Sequence, residues 1–186
     1  LSYRVGCEGH PAIALDIRAD KVDGLGAADC LLAHSPSRVE RIVASFDAIP
    51  LADATADVTV CTASLHYATD LAAVLREARR VTAGGGTIAI LDSPFYRTEA
   101  AGRAMVAEKR ERTSEWFGER ATVLTAFDFV EFLTAERLVA ASGRIGLQWR
   151  RHRVRYPAAY ELRPLVATLR GRRSPSRFDL WTAEVR

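Results

Sequence analysis

Asp16 closes a short apolar run, His66 and Tyr67 follow a second, and Asp92 and Tyr96 follow a third. These side chains can do chemistry. A carboxylate accepts two hydroxyl hydrogen bonds at once. An imidazole, with an ordinary pKa of about 6.5, can take a proton from a nucleophile near neutrality. A phenol ring can face a cation. Each residue also has a plainer use. His66 and Tyr67 can close off a strand and pack, and Asp92 can cap the helix that follows it.

The elements that must position them are legible as runs. Residues 12–17, 41–46, 58–62 and 87–91 are apolar or rich in β-formers, of strand length, and bounded by Asp, Pro or Gly. Continuous rather than alternating hydrophobicity predicts strands buried on both faces, as in a parallel sheet. Asp70 caps a predicted helix with Leu71, Val74, Leu75 and Ala78 on one face. Gly84-Gly85-Gly86 is predicted as the turn that ends it, which completes a βαβ unit. Residues 2–7 read as the end of a helix and 24–33 as a short helix.

Beyond Asp92 a charged helix is predicted over 99–117, followed by an aromatic cluster of Phe127, Phe129 and Phe132. Thr134 caps a further helix that Gly143 stops. A strand over 146–154, a helix over 160–169 broken near Pro164, and a last strand over 178–185 complete the chain. The two final strands are predicted antiparallel at a sheet edge. The class is α/β, with an open, mostly parallel sheet flanked by helices and an antiparallel final strand pair. Ligands bind such sheets at the carboxyl ends of the strands, where Asp92 and Tyr96 fall.

Composition bounds the function. The 186 residues are 48% hydrophobic and 26% charged, which fits one globular domain and excludes a disordered or collagen-like chain. No apolar run reaches membrane-span length, so no membrane partner is expected. The net charge of +3 is too weak alone to imply nucleic acid. Ten arginines, however, crowd the last quarter, from Arg144 to Arg177. They read either as a solvated face or as a surface for an anionic partner. Cys7, Cys30 and Cys61 are odd in number and widely spaced, which predicts reduced thiols in a cytoplasmic protein. His10, His34, His66 and His152 are scattered, so no metal site is predicted from local spacing.

Several stretches, in order, resemble a class I S-adenosylmethionine-dependent methyltransferase of the methyltransferase type 11-like kind, with its Rossmann-like fold. Ile13-Ala14-Leu15-Asp16-Ile17 is similar to that family's second strand. Ala44-Ser45-Phe46-Asp47-Ala48-Ile49-Pro50-Leu51 resembles its third-strand segment and loop. Ala56-Asp57-Val58-Thr59-Val60-Cys61 resembles its fourth strand, and Thr62-Ala63-Ser64-Leu65-His66-Tyr67 the segment after it. Arg79-Arg80-Val81-Thr82-Ala83-Gly84-Gly85-Gly86 resembles its helix end and turn.

The resemblance implies S-adenosyl-L-methionine as cofactor. It assigns Asp16 to the ribose hydroxyls, with Ile17 beside it. Ser45, Phe46 and Asp47 fall by the adenine, and Ala63 and Ser64 also on the cofactor. Ser45 stands where the family often has an acid for the adenine amino group, and Phe46 is an alternative stacking partner. His66 and Tyr67 are placed as the catalytic candidates, and Asp92 and Tyr96 as substrate contacts. The implied acceptor is a small molecule.

The family's first strand and glycine-rich loop have no counterpart here, and Leu1-Ser2-Tyr3-Arg4 resembles the helix after that loop. The expectation is a chain truncated before or within that motif, with the first strand missing. The domain is divided as a cofactor half (1–92), a lid or substrate insert (93–133) and a C-terminal helix with its strand pair (134–186). Two other classes stay open. One is a non-catalytic methyltransferase-like binding domain. The other is a nicotinamide-dependent oxidoreductase, whose ribose Asp16 would also suit.

Overall fold

The computed structural model describes residues 1–33, 38–124 and 126–186, so His34 lies outside the described residues. The chain forms two compact units, Leu1–Leu51 and Ala52–Arg186.

In the first unit, helix α1 (Ser2–Cys7) leads into strand β1 (Ala12–Asp16). A short 3₁₀ turn and helix α2 (Asp29–Leu32) precede strand β2 (Val39–Val43). β1 and β2 pair in parallel, with Asp16 opposite Val43. Arg41 on β2 donates to the Leu25 carbonyl and to the Asp29 carboxylate, which ties the crossover down. Gly24 is required where the loop turns back, because a Cβ there would collide with the Arg18 carbonyl.

The second unit runs strand β3 (Ala56–Thr62), helix α3 (Leu71–Val81), strand β4 (Thr82–Leu91) and helix α4 (Glu99–Phe117). Helices α5 (Ala121–Leu124) and α6 (Ala135–Ser142), strand β5 (Arg150–His152), helices α7 (Ala158–Glu161) and α8 (Arg163–Leu169) and strand β6 (Leu180–Glu184) follow. The sheet order is β3-β4-β6-β5, with β3 parallel to β4 and both β6 pairings antiparallel. Asp70 Oδ1 accepts from the Ala72 and Ala73 N–H groups at 2.8 and 3.1 Å and starts α3. Leu71, Val74, Leu75, Ala78 and Val81 form its buried stripe. Among the described residues no helix is long and apolar enough to cross a membrane.

Several expectations need correction. Gly84-Gly85-Gly86 does not form a turn between α3 and a strand. It lies inside β4, whose pairing jumps from Ala56 with Thr82 to Val58 with Thr87. The glycines let β4 bulge while the Gly85 N–H still donates to the Val185 carbonyl at 2.8 Å. At Gly86 a Cβ would lie 2.7 Å from the Asp57 carbonyl oxygen. The final strand pair does lie antiparallel at one sheet edge, with β5 outermost. β6 sits between β4 and β5 because Trp181, Ala183 and Val185 alternate inward into the core. The first strands are not buried on both faces: Ile13, Val43 and Val58 are exposed. Among the described residues, β1 pairs only with β2 and β3 only with β4, so each is an edge strand. The run 146–154 contributes only Arg150–His152 as strand. α6 ends at Ser142 with Gly143 as its C-cap, as expected, and a 3₁₀ turn then runs on to Gly146 in the left-handed region.

Helix α4 docks through its first turns. Ala101 and Gly102 are buried, and the Phe132 ring lies against Gly102. A methyl group at Gly102 would meet that ring directly. Gly102→Ala is therefore expected to destabilise the fold by about 1–3 kcal/mol through overpacking, read as a lower urea midpoint. An unchanged midpoint would show that α4 is not held by this contact.

Candidate active site

Each unit presents its candidate residues at the carboxyl end of a parallel strand pair. In the first unit Asp16 ends β1, and its Oδ1 accepts from the Arg18 N–H at 2.9 Å. Oδ2 has no protein partner among the described residues. Arg18 in turn pairs with Asp20 and Asp23, and Asp20 accepts the N–H groups of Val22 and Asp23. Those bonds hold the Asp20 carboxyl far below its ordinary range. The turn that follows Asp16 is thus rigidly knitted. Ile17 is exposed beside it.

Ser45, Phe46 and Asp47 follow β2 at the same end, since β1 and β2 run parallel and the Ala44 N–H donates to the Asp16 carbonyl. The Ser45 hydroxyl donates to Asp47 Oδ1. Its proton engaged, Ser45 Oγ keeps lone pairs for a donor such as an amino group.

In the second unit the last register pair of β3 and β4 is Thr62 with Leu91. The next residues, Ala63 and Asp92, both turn into the left-handed region, at φ +49° and +52°. Non-glycine residues held there carry strain and tend to mark functional edges. After Ala63 and Ser64, a 3₁₀ turn (Leu65–Tyr67) buries Leu65 and places His66 and Tyr67 beside it. Their rings lie 4.2 Å apart, and Phe129 meets Tyr67 edge-on at 5.8 Å. The His66 ring is half-buried and its Nδ1 has no partner. Burial, and then the charge of Lys109, lower its pKa below 6.5, so the ring is neutral near pH 7. Cys61, in β3, is buried and its thiol is pushed up to about 12, which makes it a packing group rather than a nucleophile.

Tyr96 stands differently. It is buried, edge-on to Phe132 with the Arg173 guanidinium over its ring, so its side chain builds the core under α4. Residues 94–96 are held from both sides, by the Leu133 and Arg177 backbones.

Sequence reasoning missed Glu131. Its backbone is left-handed at φ +62°, its N–H donates to the His66 carbonyl, and its side chain is only 11% exposed. Oε1 faces Lys109 at 3.7 Å and Oε2 is buried with no partner. The only available signal was an acid inside an otherwise apolar run before Phe132. Glu131 lines a groove of about 410 Å³ with Val106, Arg110, Phe129, Phe132 and Arg137.

Four of the ten arginines in the last quarter form ion pairs within the chain. Arg151 donates to the buried Asp179, Arg153 and Arg177 to Glu161, and Arg173 to Glu108. Arg177, the Tyr156 N–H and Arg153 together bring the Glu161 carboxyl down to about 2.

Comparison with known proteins bears on the fold. Residues 4–90 match the family described as methyltransferase domain. YcgJ of Bacillus subtilis superposes with a TM-score of 0.63 at 14% identity, over 95% of this chain and 82% of that one. A SAM-dependent methyltransferase of Methanosarcina mazei gives 0.62 at 13%, over 100% and 87%. An arsenic(III) S-adenosylmethionine methyltransferase of Chlamydomonas reinhardtii gives 0.53 at 18%, over 99% and 57%. At these identities the likeness is one of fold. No curated protein matches the chain.

The His66 environment has a pH consequence. Its folded-state pKa is depressed, so its contribution to stability is complete above the unfolded value of 6.5 and is lost as pH falls through the folded value. His66→Gln, which cannot titrate, is expected to flatten the fall in unfolding free energy on acidification below pH 6.5. Denaturant titrations at a series of pH values check this. Equal slopes for both proteins would refute it.

Proposed function

We propose S-adenosylmethionine-dependent methyl transfer to a small organic acceptor, a reading supported by the methyltransferase-like fold and by the match of residues 4–90 to the methyltransferase domain family. The observation that carries the reading is Asp16. Its carboxylate stands at a strand's carboxyl end, one oxygen fixed by the Arg18 N–H and the other open. That carboxylate fits a ribose diol, whose hydroxyls need an oriented acceptor. Ser45 Oγ, its proton given to Asp47, suits the amino group of an adenine, and Phe46 supplies a half-buried ring nearby in sequence.

Bound S-adenosylmethionine would supply an activated methyl group on a sulfonium. The chain's own part is then alignment and exclusion of water rather than covalent catalysis. His66, neutral near pH 7, is suited to take the acceptor's proton. Tyr67, 4.2 Å from it and braced by Phe129, offers a ring face to a cation. Ala63 and Ser64 bring backbone to the same strand end, and Asp92 offers a carboxylate at the neighbouring one.

Calorimetry with S-adenosylhomocysteine on the full-length protein tests the reading. Binding is expected, and Asp16→Ala is expected to weaken it at least about tenfold, or about 1.4 kcal/mol. The same titration with NAD⁺ is expected to give no heat. Equal affinity of the variant would remove the ribose assignment, and binding of NAD⁺ alone would replace the cofactor.

A further inference from the structure

The groove along α4 is lined by basic, apolar and acidic side chains. Arg103, Val106, Ala107 and Arg110 recur at helical spacing and so share one face of α4, the face that lines it. Val106, Phe129 and Phe132 give the groove an apolar floor. The charges around it are not alike. Arg137 donates to both oxygens of Glu99 and to the carbonyls of Val130 and Phe132, and it lies over the Phe132 ring. It is a wall, fixed in place. Arg103 shares Glu99. Lys109 faces Glu131. Arg110 makes no ion pair among the described residues and is free to receive an anion. Glu131 lines the same groove, with a buried oxygen that lacks a donor.

The groove also adjoins the strand end that carries His66. Glu131 donates its N–H to the His66 carbonyl, and Phe129 touches Tyr67. A ligand lying in the groove would therefore lie next to the residues assigned to chemistry.

We propose that this groove binds an amphipathic organic acid. Its carboxylate pairs with Arg110, its apolar body rests on Val106, Phe129 and Phe132, and a hydroxyl or amino N–H donates to the Glu131 carboxylate. The assignment rests on the methyl-transfer reading only in calling this ligand the acceptor. An unpaired guanidinium matches a carboxylate in geometry as well as charge. A buried, donorless carboxylate oxygen is costly, which makes Glu131 select for a ligand that carries a donor.

The test is calorimetry on the full-length protein with three probes: 3-(4-hydroxyphenyl)propionate, its methyl ester, and 3-phenylpropionate. The hydroxy acid is expected to bind at least about tenfold tighter than either of the others. Arg110→Gln, an exposed helix position, is expected to erase the preference over the ester and to leave the preference over 3-phenylpropionate. Glu131→Met, which removes the acceptor at similar length, is expected to do the converse. Equal affinities for acid and ester in the unaltered protein, or no binding of any probe, would overturn the proposal. A parallel titration with S-adenosylhomocysteine keeps the two readings apart. Probe binding without it supports the groove and removes the methyl-transfer reading, whereas its binding without probe preference does the reverse.

Discussion

The second unit depends on β4 being hydrogen-bonded along both edges. β3 lies parallel on one side and β6 antiparallel on the other, and Ile88 and Ile90 between them are fully buried. A strand held in this way cannot slide by one residue without turning those isoleucines outward. Its register with β3 is therefore fixed, and so is the level at which both strands end. Ala63 and Asp92 are delivered to the same edge as neighbours. The amphipathic stripe of α3, capped by Asp70, covers the sheet and keeps that register closed.

A second device sets the groove. Glu99 in the first turn of α4 receives both arms of Arg137 from α6, and the Phe132 ring lies between Arg137 and Gly102. The ion pair is partly exposed, so its own contribution is of order 1 kcal/mol or less. Its effect is geometric. It clamps the start of α4 to the 130–132 segment, while the remainder of the helix carries exposed Trp116 and Phe117 outward. Glu131 sits inside the clamp. That placement explains how a carboxylate comes to be buried without a donor, because its backbone is held by neighbours on both sides.

The strand runs, the capping by Asp70 and Thr134, the span of α4 and the break at Pro164 were all legible in local sequence. Each is decided by near neighbours: a side-chain oxygen facing N–H groups two or three residues on, or a ring without a donor. The bulge at Gly84–Gly86 was not legible. A glycine run at a helix end codes for a turn unless a distant strand, here through Val185, captures its N–H groups. The interior place of β6 depends likewise on Trp181 stacking on Phe95, a contact between residues far apart in the chain. Of the candidate site, Asp16, His66 and Asp92 could be marked because type and position coincided at strand ends. Glu131 could not, since its significance lies in burial and in a missing partner. Tyr96 was marked by position, and the fold uses its ring for packing.

Part of the cost in this structure gathers at the strand ends of the second unit. Three of the four non-glycine residues with positive φ among the described residues, Ala63, Asp92 and Glu131, lie at or beside the strand ends. Two of the buried polar atoms without partners, His66 Nδ1 and Glu131 Oε2, lie there too. Strained residues and unpartnered groups of this kind cost about 1–3 kcal/mol each, a large part of a domain's net stability. They persist only because the β4 core and the α4 clamp leave the backbone no alternative. A ligand that gives Glu131 a donor removes part of that cost on binding, so the site gains affinity from an imperfection the apo fold must carry. The same logic explains why the imperfection sits where it does. Anywhere else in the unit it would weaken the fold and recover nothing.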